Sequence, residues 1–133
     1  MSQEAVENAL KKHLFDAALG YPIAWPNQRL PDKGFPYLIV DNIRGDNVRL
    51  GLEADGLHTY NGIFQVSILI AQYKSTKTSN QIADQIKATF PAGLRIDLVQ
   101  GSVKILRNPV TEAGFPDDAA WRVPVSIYYI AKF

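Results

Sequence analysis

Between residues 63 and 73 the apolar side chains Phe64, Val66, Ile68 and Ile70 fall at every second position, with Gln65 and Ser67 between them. A period of two places them on one face of an extended strand, whereas a helix would scatter them around its axis. The closing segment 120–131 repeats the pattern with Val123, Val125, Ile127 and Tyr129. Two long strands, each with one strongly apolar side, require a sheet that is covered on that side. The rest of the chain must supply the cover.

Two segments have the right periodicity for it. In 2–19, Val6, Leu10, Leu14 and Ala17 or Ala18 recur at three- and four-residue spacing and form one stripe of a helix. Glu4 and Glu7 early and Lys11 and Lys12 later suit the helix dipole, and Glu7 reaches Lys11 at i,i+4. Gly20 is expected to cap this helix, and Pro22 forbids its continuation. In the second segment Thr78 and Gln81 fit a capping box, Ile82, Ile86 and Phe90 form a narrow stripe, and Pro91 stops the helix.

Other strands are expected at 37–44 and 48–52, joined as a hairpin by turn residues Gly45-Asp46-Asn47, and near 94–99 and 102–106. Segments 26–36, 53–61 and 108–118 read as loops. Pro124 cannot donate to a ladder, so the last strand should be bulged there or lie at an edge. The order is helix, three strands, helix, three strands. It describes an α+β fold: one mainly antiparallel β-sheet with two helices packed on one face. At 133 residues this is a single domain over 1–133, long enough to bury roughly two thirds of its unfolded surface.

Composition narrows the function. With 14 Lys plus Arg against 13 Asp plus Glu, the chain lacks the basic excess of a dedicated nucleic-acid binder. It has no cysteine, which removes disulfides and thiolate metal sites. Met1-Ser2-Gln3-Glu4 is acidic and opens no apolar core segment, so no secretory signal is expected. The longest apolar stretch, 63–71, is too short to span a bilayer as a helix. A soluble cytoplasmic protein is the expectation.

Reactive constellations are not apparent. His13 and His58 come from different elements with no third zinc ligand at a suitable spacing. His13 borders the apolar stripe, and His58 is expected in a solvated polar loop. Asp41, Asp46, Glu53 and Asp55 cluster in sequence but match neither the spacing nor the glycine of an EF-hand loop. No G-x-S-x-G, phosphate-binding loop or dinucleotide fingerprint occurs. Arg44-Gly45-Asp46 spells an adhesion tripeptide, but three residues match by chance and turn chemistry accounts for them. Neither an enzyme nor a cofactor site is indicated. Lys74 and Lys77 flank a Ser/Thr-rich connector that suits either a phosphate-meeting tip or a solvated link, and near-neutral charge favours the link. Trp25, followed by a proline-bearing loop, suits either closure of the core or a protein–protein anchor.

Several short segments recur in a telling order. They are Ile23-Ala24-Trp25-Pro26-Asn27, Pro36-Tyr37-Leu38, Leu50-Gly51 before a loop, and Gly62-Ile63-Phe64-Gln65-Val66. Ala83-Asp84-Gln85-Ile86 leading to Phe90-Pro91, and Trp121-Arg122-Val123-Pro124-Val125-Ser126, complete the set. In this order, over nearly the whole chain, the sequence resembles the tail terminator proteins of long-tailed bacteriophages. The resemblance implies a structural virion protein: a homo-oligomeric ring, commonly a hexamer, that caps the tail tube, ends its polymerisation and joins the head connector. Its partners would be the tube protein and the neck, with DNA only as passing cargo and no membrane. Its place would be the head-proximal end of the tail, after assembly in the host cytoplasm. The family brings no catalytic residues. Loop residues beside strand ends are the expected interface carriers: Trp25, Arg29, Arg49, Tyr60, Lys74 and Lys77. Two other readings stand beside it, a head–tail connector or tail completion protein, and a small-ligand-binding α+β domain.

Overall fold

The computed structural model describes residues 3–17, 19–25, 36–49, 58–71, 77–98, 101–117 and 120–132, with only the backbone at 3, 44–49 and 58. Within these lie helices α1 (Gln3–Asp16) and α2 (Lys77–Thr89) and eight strands. The strands are β1 (Ile23–Ala24), β2 (Tyr37–Arg49), β3 (His58–Ala71), β4 (Arg95–Leu98), β5 (Gly101–Ile105), β6 (Val110–Thr111), β7 (Phe115–Asp117) and β8 (Ala120–Lys132). All eight belong to one sheet with the path β1-β2-β3-β8-β5-β4, and β6 and β7 pair with β8. Only β1 runs parallel to its neighbour, so the expected α+β, mainly antiparallel architecture holds.

β8 is the spine. One side pairs with β3 without interruption from Thr59↔Lys132 to Ala71↔Ala120. Its other side is served by three short strands in turn: β7 against 120–122, β6 against 125–126 and β5 against 129–132. Residues directly opposite in an antiparallel pair share a face. The pairs Phe64↔Ile127, Val66↔Val125 and Ile68↔Val123 therefore define one inner face, continued by Leu38 and Val40 of β2 and by Val103 and Ile105 of β5. These residues are buried in one cluster with Val6, Leu10 and Leu14 of α1 and with Ile82, Ala83 and Ile86 of α2. Both helices thus cover the same face. The period-two and period-3.6 stripes read from the sequence are the two halves of this core.

α1 ends at Asp16, earlier than its sequence pattern allowed, and the Glu7–Lys11 pair forms at 3.3 Å. Gly20 therefore does not cap the helix directly. It turns the chain towards β1 with φ +90, a left-handed conformation that side chains disfavour. α2 begins at Lys77, so Thr78 lies inside the first turn and is not the capping residue. At its other end Phe90 is fully buried, tilted against Phe64 at 5.8 Å between ring centroids.

Three expectations are corrected. The hairpin at Gly45-Asp46-Asn47 does not exist: β2 runs through it as one strand paired with β3. The register passes from Arg44↔Gly62 to Asn47↔Tyr60, so Gly45 and Asp46 stand opposite Asn61 alone. Two residues against one is a β-bulge, which uses the same flexible residues as a turn but bends the strand instead of reversing it. Segment 58–61, expected in a loop, belongs to β3, and His58 pairs with Arg49. Segment 108–118, also expected as a loop, contributes β6 and β7.

Pro124 sits in the middle of the most central strand, neither bulged against β3 nor at an edge. Its carbonyl accepts a hydrogen bond from the Glu112 amide at 2.8 Å, so its ring nitrogen points the same way, towards the irregular stretch between β6 and β7. The missing donor falls where the neighbour has no regular ladder to feed. The pairing with β3 is untouched.

Candidate assembly surfaces

The residues between the inner-face positions of β3 and β8 form the outer face, and no helix among the described residues packs on it. The registers lay it out in rows across the strands. From the Ala71 end these are Ala71–Ala120–Asp117, Tyr37–Leu69–Arg122–Phe115, Ile39–Ser67–Pro124, Asp41–Gln65–Ser126–Val110 and Ile43–Ile63–Tyr128. Two more follow, Asn61–Ile130–Lys104–Arg95 and Thr59–Lys132–Ser102–Asp97.

An antiparallel sheet with one solvated face ordinarily alternates apolar inward and polar outward. This outer face does not. Ile43 is 47% exposed, and Leu106, whose amide donates to the Tyr128 carbonyl at the end of the same row, is 51% exposed. Val110 and Phe115 are also exposed. Ile43, Asn61, Ile63, Leu106 and Tyr128 surround a shallow depression of about 250 Å³. The Arg107 guanidinium lies 3.9 Å from the centre of the Tyr128 ring, a cation–π contact at its rim.

Towards the Ala71 end the outer face carries one ionic cluster. Arg122 bridges two carboxylates, Asp41 at 3.3 Å and Asp117 at 3.2 Å, and Gln65 donates to Ser126 at 3.3 Å. A second apolar surface lies on the helix side of the sheet. There Phe15, 67% exposed, stands over a hollow lined by Leu14, Leu19, Tyr21 and Ile23.

Of the residues expected to carry contacts, Trp25 and Tyr60 are half-buried and pack against the core. They are not brought together. Trp25 follows β1, which pairs with Leu38 and Ile39, while Tyr60 pairs with Asn47 near the other end of β2. At about 3.3 Å per residue, these ends are roughly 30 Å apart. Lys77 is exposed as the first residue of α2. Arg49 closes β2 next to Tyr60, with only its backbone described, and Arg29 and Lys74 lie outside the described residues. Sequence reasoning missed Ile43, Leu106, Val110 and Phe115. The signal was present: Tyr128 and Ile130 are apolar at the positions that alternate with the core residues of β8.

His13 has a specific place. Its Nε2 lies 2.7 Å from the carbonyl oxygen of Thr89, and its ring meets Phe90 edge-on at 5.0 Å. It joins α1 to the end of α2, as suits a residue on the border of the apolar stripe. Among the described residues no three His, Cys, Asp or Glu side chains gather as a metal site, and no helix is long and apolar enough to cross a membrane.

A search of curated proteins finds no match. Among solved structures, one that is 25% identical aligns over 100% of this chain and 97% of its own length with a TM-score of 0.80. A family model described as phage tail terminator protein matches residues 5–129. Because that match takes in both helices and nearly the whole sheet, the chain belongs to the phage tail terminator family, structural proteins of the virion tail.

Proposed function

We propose that the protein closes into a ring, a hexamer, which seats on the last ring of the tail tube and stops its polymerisation. The opposite side of the ring then receives the head connector, and DNA passes through the middle as cargo. On this reading the protein resides at the head-proximal end of the tail and is assembled in the host cytoplasm.

The observation that carries this is the set of apolar side chains left exposed on the outer face. Ile43 and Leu106 are exposed beside Ile63 and Tyr128 around one depression, with Val110 and Phe115 exposed further along the sheet, and contiguous exposed apolar surface marks sites of association. Phe15, on the helix side, gives the subunit a second and different patch. A head-to-tail ring uses unlike patches of this kind, since each subunit meets its two neighbours through different surfaces. Trp25, Arg29, Arg49, Tyr60, Lys74 and Lys77 are the proposed carriers of contacts at the ring's rims. The function requires no bond to be made or broken.

Native mass spectrometry of the protein, alone and with tail tubes, measures the stoichiometry, and electron microscopy locates the protein on the tubes. Six-subunit rings at tube ends, with tubes that stop growing, are the expected result. Tubes that keep elongating in saturating protein overturn the reading. Capture of the portal or adaptor ring without the tube assigns the chain to the head–tail connector instead.

A further inference from the structure

We propose that neighbouring subunits join through opposite charges at the two ends of the outer sheet face, the cationic end of one copy meeting the acidic end of the next. The inference rests on the ring reading and names the contact that reading leaves open.

The rows of the outer face are sorted by charge. Beyond the Ile43–Ile63–Tyr128 row come Lys104, Arg95 and Lys132, with Arg107 over Tyr128, and all four are exposed. Among the described residues only Arg95 of these is ion-paired, with Asp97 at 2.9 Å. At the other end Asp41 and Asp117 share the single cation Arg122, and Glu112, whose amide bonds to Pro124, is exposed. Among the described side chains one end thus holds four cations and one carboxylate. The other holds three carboxylates and one cation.

Among the described residues no ion pair joins the two ends within one subunit. Along β8 the carboxylates lie level with Ala120, Pro124 and Ser126, two to eight residues from Tyr128 and six to twelve from Lys132, or roughly 7 to 40 Å at ~3.3 Å per residue. Exposed charges are screened beyond about 8 Å at physiological salt. A second copy can bring a complementary charge to contact distance, and this chain presents that charge itself. Because the complementary ends differ, the contact is head-to-tail and repeats until the ring closes. A bare polyanion such as DNA is a poorer fit, since the same face would repel it at its acidic end.

Charge reversal in two complementary variants tests this, with subunit stoichiometry read by native mass spectrometry. Lys104→Glu with Arg107→Glu makes both ends acidic; Glu112→Lys with Asp117→Lys makes both ends basic. Each variant alone should lose assembly at least tenfold in concentration, while its circular dichroism stays near wild type and it still unfolds cooperatively. An equal mixture should assemble again with the two variants alternating, because both junctions are then complementary. In the wild type, raising ionic strength from about 0.05 to 0.5 M should weaken assembly without unfolding, a readout independent of whether the variants fold. Variants that each assemble normally, or folded variants that fail to complement, overturn the proposal and leave the ring reading standing. So does loss of DNA retention by the acidic variant with its ring intact. A wild-type chain that stays monomeric alone and on tubes removes the ring reading and this contact with it.

Discussion

β3 and β8 show two faces to two different environments, one covered by the helices and one without such a cover. On the inner face Phe64, Val66, Ile68, Val125, Ile127 and Tyr129 are buried beneath α1 and α2. On the outer face the same strands carry Ile63, Tyr128 and Ile130, each only partly covered, beside the exposed Ile43 and Leu106. Similar side chains on the same backbone therefore answer to different demands. Those inside stabilise the subunit, because removing apolar surface from water is the main favourable term in folding. Of those outside, Leu69 is buried as well, while Ile43 and Leu106 leave about half their surface in water.

The sharpest way to break the comparison is at the centre of the inner face. Phe90→Ala should cost about 3–5 kcal/mol, because it empties a site packed on Phe64 and His13. Thermal denaturation should show a fall of roughly 10–20 °C for a domain of this size. A fall of only a few degrees would mean that the helices contribute little to the core.

A smaller loss is expected further along the inner face. Gly62 lies opposite Tyr129, and a Cβ there would stand 2.4 Å from the tyrosine oxygen. That oxygen is fixed by its 2.9 Å hydrogen bond to Asn42 Oδ1, so the ring cannot simply move aside. Gly62→Ala should destabilise by about 1–3 kcal/mol through overpacking, measured by urea unfolding. An unchanged midpoint would show that Tyr129 relocates freely.

His13→Ala removes the contact with the Thr89 carbonyl and the edge-on packing with Phe90. About 1 kcal/mol is expected, the usual net value of one hydrogen bond. Hydrogen exchange at the last turn of α2 should rise if this link holds the two helices together.

The smallest effect on stability should come from the outer face. Ile43→Ser with Leu106→Ser should change unfolding by less than about 0.5 kcal/mol per site, as for surface substitutions generally. The same variant should nevertheless weaken self-association or tube capping at least tenfold. Stability lost without a change in assembly would invert the roles of the two faces.

Much of the inner face was legible in the sequence. Strand and helix periods name the residues that share a side, and Phe64, Val66, Ile68, Ile70, Ile82, Ile86 and Phe90 are all in the core. The bulge was not legible, since Gly-Asp-Asn permits a reversal and a bend equally well. Which occurs depends on whether the next residues find a partner, and Asn47, Val48 and Arg49 find one in β3. β6 and β7 were missed for a related reason: they are very short, and their pairing to β8 is set by the spine strand. The expected contact residues Trp25 and Tyr60 were chosen for chemical type, but type does not say which end of a sheet a side chain reaches.

What the sequence settled alone is local: two amphipathic helices, two long strands with an apolar side, and a composition without thiols or excess charge. Period and polarity are properties of neighbouring residues, so they need no knowledge of the fold. Only the tertiary structure decided which strands lie side by side, that Pro124 is tolerated at the centre, and that apolar and charged residues from seven strands line up in rows on one face. Those rows come from the register between distant segments, and register is fixed by pairing and packing of the whole sheet rather than by any one stretch of chain.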